Sequence, residues 1–587
     1  MTRFLASLQS VVTARSRKAA AASVPLLTLI ILLMQSGAGW AQQPPSQPRY
    51  NPQQTEESLQ RLQDQQGLRP KPPVPLPSLP KSEVRASTKP LFKLRAVSID
   101  GASTLSREEI AETYKPHLGK TVSQADLVAI ADSITDFYRK ADYVLSRAII
   151  PPQDIKNGRI RVKVIEGHIA ELVLKGEGAD QFGVRKLLAR ITEERPTRLK
   201  TLERQLLLAN DTPGVRVADT AFEEIGQTSG KFRLIVWIQT WNVFAALGFD
   251  NQATSAVGPL EAFVTTGFNS YLLPGDTFNF NASTTPATMQ EFRYGQVSYS
   301  APVGTDGARL GFNVLNSNVA PGDARQQFND HTETATYEVK GSVVPWETRK
   351  SSLWLTGIFG YSDTSERDSS GMTYNDHLRY VSLTADFKLQ DNFAGWNYLN
   401  ITGRQGLGIL GASRKDDDFL SRDGASGNFS LVNFVFARLQ QLSDVWSLKI
   451  SATGQVASGP LLISQQFYLG DAAYGPGFYS GDSGIATYAE LRFDRSVSNN
   501  VLKGYQLYGY FDKGAVWSFN TDGQVLSIAS AGAGVRFSLA DDWQAGVGFA
   551  VPIHAGTTAN NVHATRVLFT LAKSLKLCPQ RSQMRCL

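Results

Sequence analysis

The sequence has few of the groups that build metal centres, disulfide frameworks or active sites. It contains two cysteines in 587 residues, Cys578 and Cys586, both within the last ten positions. Six histidines are scattered singly, and no nucleophile, acid–base pair or metal-ligand set is evident. The sequence therefore gives no support for an enzyme, a bound metal ion or a cofactor.

The chain also has little net charge. The formal net charge is +6, and part of it lies in the basic N-terminal segment. Because this excess is weak and dispersed, it gives no reason to expect a nucleic-acid partner.

Long apolar runs are missing beyond the N-terminus. Residues 24–34 form an apolar core that is short for a membrane span, and they lie between a basic start and a cleavage site near 39–41. We expect residues 1–41 to be a secretory signal peptide, with a retained membrane anchor as the alternative. No other stretch approaches a transmembrane helix, so residence in a membrane would have to be as a barrel.

What the sequence does contain is a long series of alternating strands. From Trp241 onward, apolar and polar residues alternate in runs such as 277–283, 380–388 and 446–452. Runs of this length suit strands tilted across a hydrocarbon core of about 25–30 Å. About sixteen can be counted, and an even number is typical of single-chain barrels. Residues 241–575 therefore predict a 16-stranded antiparallel transmembrane β-barrel.

The connections between these strands predict the orientation of the barrel. Those after strands five, seven, nine and eleven are the longest, whereas those after even-numbered strands are short turns. Long extracellular loops and short periplasmic turns are typical of outer-membrane barrels.

Two copies of one pattern precede the barrel. Residues 90–167 and 168–240 each predict a β-α-α-β-β unit, which is large enough for one small α+β core. In the first copy, Leu127, Ile130 and Ile134 follow the helical period. The open sheet edge of such a unit accepts an extended peptide as an added strand. A passive spacer fits the pattern equally well.

Residues 42–89 are rich in Gln and Pro. Within them, 55–66 can form a short helix whose apolar face is only Leu59 and Leu62. The proline-rich stretch 70–80 is typical of an extended, semi-rigid spacer. A disordered tail is the alternative for the whole segment.

Three stretches carry a resemblance to a known family. They are residues 143–167, 467–484 and 508–514. Together they resemble the two-partner secretion transporters, the haemolysin and haemagglutinin secretion/activation proteins of Gram-negative bacteria. The resemblance spans nearly the whole mature chain. It implies a plug helix (here with Leu59 and Leu62) in the barrel lumen, two POTRA domains and sixteen strands.

The resemblance also implies a lock inside the lumen. The family's sixth extracellular loop folds inward, and its tip corresponds here to Gly475, Pro476, Gly477 and Phe478. Proline stands where the family has an arginine, and the acidic partner of that arginine corresponds to Asp512. Alternation turns Arg492 of the neighbouring strand inward, so we expect Arg492 to replace the missing arginine. A simple extracellular turn at 475–477 is the alternative.

The function implied is an outer-membrane pore. Periplasmic POTRA domains would recognise an unfolded exoprotein (an adhesin, a cytolysin or a contact toxin), which the monomeric barrel would secrete. Outer-membrane lipid is the second partner. An assembly factor that inserts other barrels is the alternative from the same superfamily, and a diffusion porin would leave the POTRA pair unexplained. We expect residues 576–587 to be a periplasmic tail, whose two cysteines form a local disulfide or remain separate thiols.

Overall fold

The computed structural model describes residues 74–75, 86–176, 178–226, 228–253, 258–286, 290–322, 324–471, 475–519, 523–554 and 565–577. The expected signal peptide, the expected plug helix and residues 578–587 of the expected tail, with both cysteines, lie outside these ranges. Among the described residues, no helix is long and apolar enough to cross a membrane.

Two small α+β units open the described chain. Their elements are β1 (Pro90–Lys93), β2 (Ala96–Asp100), α1 (Arg107–Tyr114), β3 (Thr121–Ser123), α2 (Gln124–Lys140), β4 (Arg147–Ile149), β5 (Arg159–Ile165), β6 (His168–Lys175), α3 (Val184–Glu193), α4 (Leu199–Asp211), β7 (Val215–Glu224) and β8 (Lys231–Thr240), with a short 3-10 helix at Lys115–His117. The sheets run β2–β5–β4 and β6–β8–β7, and β1 pairs with β3.

The first unit folds as the local sequence predicts, with one exception. Ser106 and Ser123 each cap a helix through a reciprocal bond with the acidic residue three positions later. Ile130 and Ile134 are fully buried on one face of α2. The sequence of residues 92–99 predicts a single first strand for this unit, but the chain is divided in two there, because the buried Leu94 lies between β1 and β2 and β1 pairs with β3.

The rest of the chain is a closed antiparallel barrel of sixteen strands, as expected. Its elements, with the β20–β21 hairpin that belongs to a loop, are β9 (Val243–Asp250), β10 (Glu261–Asn269), β11 (Thr277–Thr284), β12 (Phe292–Val303), β13 (Ala308–Val319), β14 (His331–Glu347), β15 (Ser351–Asp368), β16 (Gly371–Gln390), β17 (Gly395–Gly406), β18 (Ser430–Gln441), β19 (Trp446–Ala457), β20 (Phe467–Asp471), β21 (Gly475–Gly481), β22 (Ser483–Ser496), β23 (Leu502–Trp517), β24 (Val525–Leu539), β25 (Trp543–His554) and β26 (Arg566–Leu577). Short 3-10 helices lie at Ala324–Phe328, Ile463–Gln465 and Ala540–Asp542.

Alternation sorts the side chains of each strand onto the two faces. On β22, Leu491 is 44% exposed on the outer surface, whereas its neighbour Glu490 is fully buried. Outward-facing apolar residues recur around the barrel, as at Leu383, Val547 and Val567. An exposed apolar surface of this kind is what a bilayer covers.

Two expectations about the barrel need correction. The connection after the seventh barrel strand is not long, because β15 and β16 continue as a paired hairpin until only residues 369–370 separate them. The last strand also ends later than expected, since Leu575 and Leu577 still pair with Ala245 and Val243 of β9.

Candidate functional site

An open space lies inside the barrel against strands β17–β19 and β22–β26. Its volume is about 1250 Å³. Polar and apolar groups both line it, and its charged lining includes Arg404, Lys449, Glu490, Arg492, Asp494 and Arg536. A lumen lined in this way suits water and a peptide backbone better than it suits lipid.

Glu490 organises the charged wall of this space. Its carboxylate is fully buried and accepts two hydrogen bonds from Arg536 of β24, at 2.8 and 3.0 Å. Arg492 Nε and the Tyr488 hydroxyl also donate to it. The Arg536 guanidinium lies 3.8 Å from the centre of the Tyr508 ring. Two guanidinium groups against one carboxylate give this cluster of Arg492, Glu490 and Arg536 a net charge of +1.

Asp512 of β23 is fully buried, and its described contacts are to β24. It accepts hydrogen bonds from the Ser530 backbone N–H at 2.9 Å and from the Ser530 hydroxyl at 2.8 and 2.9 Å. Both contacts are made across one strand pair, because Asp512 and Ser530 are in register. These donors hold the Asp512 carboxylate against β24.

The expected pairing of Arg492 with Asp512 is wrong. In the register of β22 with β23, Arg492 lies opposite Tyr508, whereas Asp512 lies opposite Tyr488. Four residues along a strand separate these positions by about 13 Å at 3.3 Å per residue. Arg492 instead pairs with Glu490, its nearest inward neighbour on the same strand.

The connection between β19 and β22, which we call loop L6 (residues 458–482), lies against the inner wall. Its hairpin, β20 and β21, contacts β22, β23 and β24, and residues 467–470 line the lumenal space. Phe467 and Leu469 pack with Val516 and Ile528 of the wall in one apolar cluster. At Gly514 a Cβ would meet Leu469 at 2.2 Å, so glycine allows the close approach.

The tip motif expected from the sequence opens β21. Gly475 pairs with Asp471, and Tyr479 pairs with Leu469. Residues 472–474, at the turn, lie outside the described residues, as do the side chains of Gly475, Pro476, Gly477 and Phe478. The role of this tip therefore stays a prediction.

Asp482, which the sequence did not single out, joins three extracellular loops. It is fully buried at the end of L6 and forms an ion pair with Arg422 of loop L5 (residues 407–429). Its carboxylate also accepts from the Leu461 N–H at 2.9 Å and from the Phe519 N–H of loop L7 (residues 518–524) at 2.8 Å. Arg422 in turn donates to the Phe519 carbonyl at 2.8 Å. One carboxylate and one guanidinium thus hold L5, L6 and L7 together.

The second α+β unit is fixed to the periplasmic end of the barrel. Arg190 of α3 pairs with Asp306 in the turn between β12 and β13. Arg204 of α4 donates to the Val344 carbonyl at 2.6 Å. Only Trp241 and Asn242 separate β8 from the first barrel strand. The periplasmic unit and the pore entrance therefore form one continuous structure.

Comparison with known families gives two matches in chain order. The model of the POTRA domain of ShlB type matches residues 92–167. The model of the haemolysin secretion/activation protein ShlB/FhaC/HecB matches residues 234–537, which is 304 of 587 residues and more than half of the chain. These ranges coincide with the first α+β unit and with most of the barrel.

Individual relatives agree with these matches. The heme/hemopexin transporter protein HuxB of Haemophilus influenzae is 24% identical over 465 residues, which are 76% of this chain and 80% of that protein. The outer membrane transporter CdiB of Escherichia coli is 25% identical over 203 residues, 34% of each chain.

Solved structures show the same fold. CdiB from Escherichia coli superposes with a TM-score of 0.72 at 18% identity, covering 90% of this chain and all of that one. CdiB from Acinetobacter baumannii gives 0.62 at 17% identity, over 89% of this chain and 97% of that one. The chain is accordingly an outer-membrane protein of a Gram-negative bacterium, with its POTRA domains in the periplasm. It belongs to the ShlB/FhaC/HecB family of haemolysin secretion/activation proteins, the transporters of two-partner secretion.

Proposed function

We propose that this transporter binds an unfolded exoprotein through its POTRA domains and secretes it through the barrel. The observation that carries the proposal is the continuity of the parts. Two periplasmic sheets with open edges lead into a barrel whose lumen is lined by polar and charged as well as apolar groups and holds a loop that packs on one wall. The exoprotein would be an adhesin, a cytolysin or a contact toxin.

The two POTRA domains would present their edges at a set angle. Arg147 of β4 donates to both carboxylate oxygens of Glu224 on β7, at 2.8 and 3.0 Å. Leu145 of the first domain is buried in the core of the second. Gly167 joins them, and a Cβ there would lie 2.3 Å from the Leu145 carbonyl oxygen. Such a junction resists bending, so a bound segment would keep a defined direction toward the pore.

Strand β2 is the edge that we assign to the passenger in the first POTRA domain. At the opposite side of the sheet, the Gln153 side chain covers β5 by donating to the Arg161 carbonyl and accepting from the Arg161 N–H, both at 2.8 Å. On β2, the Ala96 N–H donates to Gly158, toward β5. Because successive N–H groups alternate in direction, that of Val97 faces the free side, where an added strand accepts it.

The plug and the domain boundaries are part of the same proposal. We assign residues 1–41 to the signal peptide, 42–89 to the plug helix and linker, 90–167 and 168–240 to the POTRA domains, and the following residues to the barrel and its tail. In the resting transporter, the helix with Leu59 and Leu62 occupies the lumen, to which its glutamine-rich surface is suited.

The closed seam of the barrel argues against the alternative function of inserting other barrels. Strands β26 and β9 pair over eight residues. Beyond the last pair, Asn251 continues the ladder with its side chain, donating to the Val567 carbonyl at 2.8 Å and accepting from the Phe569 N–H at 2.7 Å. Arg566 donates to the Ala253 carbonyl at 2.9 Å. A seam closed with side chains as well as backbone opposes lateral opening.

Export in cells tests the proposal. The transporter is co-expressed with a candidate exoprotein from its own genome, and secreted exoprotein is measured in the medium. Val97→Pro removes the edge N–H and should reduce export at least tenfold, whereas Val97→Ala should stay within twofold of wild type. Heat-modifiable gel mobility checks that each barrel is folded. Equal export by both variants would contradict recognition at β2.

A further inference from the structure

Val74 and Pro75 are the described residues of the proline-rich linker, and they are bound in place. Val74 is 4% exposed and belongs to the core cluster of the second POTRA domain. The Pro75 carbonyl accepts a hydrogen bond from the Thr220 hydroxyl of β7 at 2.5 Å. A linker that only spanned a distance would have no reason to bury a side chain in a neighbouring domain.

The position of this contact is at the pore entrance. Thr220 lies on β7, an edge strand of the sheet β6–β8–β7. The Val74 carbonyl lies 3.5 Å from Nη2 of Arg349, in the turn between β14 and β15 of the barrel. Arg349 also approaches Glu203 of α4 at 3.6 Å. Linker, POTRA domain and barrel therefore meet at one place, which we call the junction seat (Val74, Pro75, Thr220 and Arg349).

The linker sequence around this seat is poor in backbone donors. Prolines stand at 73, 75 and 77, every second position around Val74. Alternate residues of a strand direct their N–H groups to one side, and proline has none to donate. Proline at an edge is also a common device that blocks strand addition. The linker thus supplies an apolar side chain and carbonyl acceptors, but lacks one row of donors.

We propose that the junction seat is a peptide-binding site, that Val74–Pro75 is its resting occupant, and that an extended segment of the passenger replaces it. This rests on the proposed function and adds a regulated step to it. The replacing segment carries a small β-branched side chain for the Val74 pocket. It also carries N–H groups at the alternate positions, which pair with β7 where the prolines cannot.

The replacement has a mechanical consequence. The proposed plug helix precedes the seat along the chain, and the first POTRA domain follows it. Because passenger and linker would compete for one seat, arrival of the passenger would free the linker at the place where the passenger must enter the barrel.

Peptide binding to the full chain in nanodiscs tests the site. The probe is a fluorescent peptide of residues 70–80 in which the prolines at 73, 75 and 77 are alanine. Val74→Asp in the transporter empties the seat, and this variant should bind the probe at least tenfold more tightly than wild type. A probe carrying the same Val74→Asp change should bind neither protein. Equal affinity of both transporters, or equal binding of both probes, would overturn the proposal.

A reversible disulfide provides a second test that does not depend on emptying the seat. In a Cys578→Ser, Cys586→Ser background, the pair Pro75→Cys and Thr220→Cys closes the linker onto β7. The hydrogen bond from the Thr220 hydroxyl to the Pro75 carbonyl brings the two residues together, and mass spectrometry verifies that the disulfide has formed. The oxidised form should lose probe binding and regain it on reduction. The pair Pro75→Cys and Arg216→Cys is the control, because Arg216 is exposed elsewhere on β7.

The outcomes separate this inference from the proposed function. If wild type exports its exoprotein and the oxidised transporter binds the probe as the reduced one does, the junction seat is refuted and the export function stands. If wild type exports nothing while probe binding follows the seat as expected, the export function fails and the seat remains.

Discussion

Removing the charge of the Asp482 carboxylate should loosen loops L5, L6 and L7. We consider Asp482→Asn, which preserves shape and removes charge. The native carboxylate accepts from the Arg422 guanidinium and the Leu461 N–H on one oxygen and from the Phe519 N–H on the other. An asparagine has one acceptor oxygen, so its NH₂ group must face either Arg422 or the Phe519 N–H, both of which are donors.

The magnitude follows from the burial of the pair. Asp482 is fully buried and the Arg422 side chain is 19% exposed, so little water can replace the lost acceptor. Removing one partner of a buried ion pair destabilises by about 3–5 kcal/mol. At about 1.4 kcal/mol per factor of ten, local opening of L5, L6 and L7 should become roughly 100- to 4000-fold more frequent.

Hydrogen–deuterium exchange of the purified transporter measures this opening directly. We expect faster exchange of 458–471 and 475–482 in Asp482→Asn, and unchanged exchange in the periplasmic turns. The control is Asp416→Asn, an exposed carboxylate of L5, which should match wild type. Arg422→Met combined with Asp482→Leu should recover part of the protection, because no buried charge is then left unpaired. Equal exchange in Asp482→Asn and Asp416→Asn would show that the Asp482 carboxylate does not hold L5, L6 and L7 together.

Three further outcomes are expected. Asp512→Asn should reduce export more than it reduces barrel stability, measured by heat-modifiable gel mobility. The reason is that about 1–3 kcal/mol of charge-assisted hydrogen bonding to Ser530 is lost while strand pairing persists. Normal export would show that Asp512 has no part in gating. Burial raises the pKa of Glu166, but hydrogen bonds from Ser103, Thr104 and Tyr138 outweigh it, so the pKa lies below its ordinary value of 4.5. The stability contributed by Glu166 is therefore complete above about pH 4.5 and is lost as pH falls through the lowered value. Glu166→Gln should weaken the first POTRA domain at pH 7 and reduce its acid sensitivity, measured by exchange of β5 against pH; an unchanged acid profile would contradict this. Deletion of residues 42–66 should raise single-channel conductance in planar bilayers and leave a folded barrel. Unchanged conductance would contradict the placement of the plug helix in the lumen.

Local patterns in the sequence determined which face each strand residue occupies. Period-two alternation turns Glu490, Arg492 and Asp512 inward, and their burial agrees with it. The caps at Ser106 and Ser123 are equally local, because a cap and its partner lie within one turn. Even the number of strands could be counted, since each alternating run is a continuous piece of chain.

The pairing of inward residues could not be obtained in this way. Arg492 and Asp512 are both inward, but register places Arg492 opposite Tyr508, four residues from Asp512. Arg492 therefore pairs with Glu490 on its own strand, and Arg536 of a strand farther along reaches the same carboxylate. Register depends on hydrogen bonds between distant segments, and the alternating pattern is the same for every two-residue shift. The sequence contains a second inward arginine, Arg536 on β24, but alternation alone does not show that it reaches Glu490.

The contacts of the loops and of the linker could not be predicted from local sequence patterns. Asp482 and Arg422 lie in irregular segments without periodicity, and Val74 is one apolar residue among prolines. Neither position carries a local preference that would identify its partner. The alternating runs were enough to predict the strands and the face that each side chain occupies, because these follow from backbone geometry over a few residues. Strand register and loop packing determined which charges meet, because Glu490 and Arg536, like Asp482 and Arg422, lie far apart in the chain and come within a few ångströms of one another only in the folded barrel.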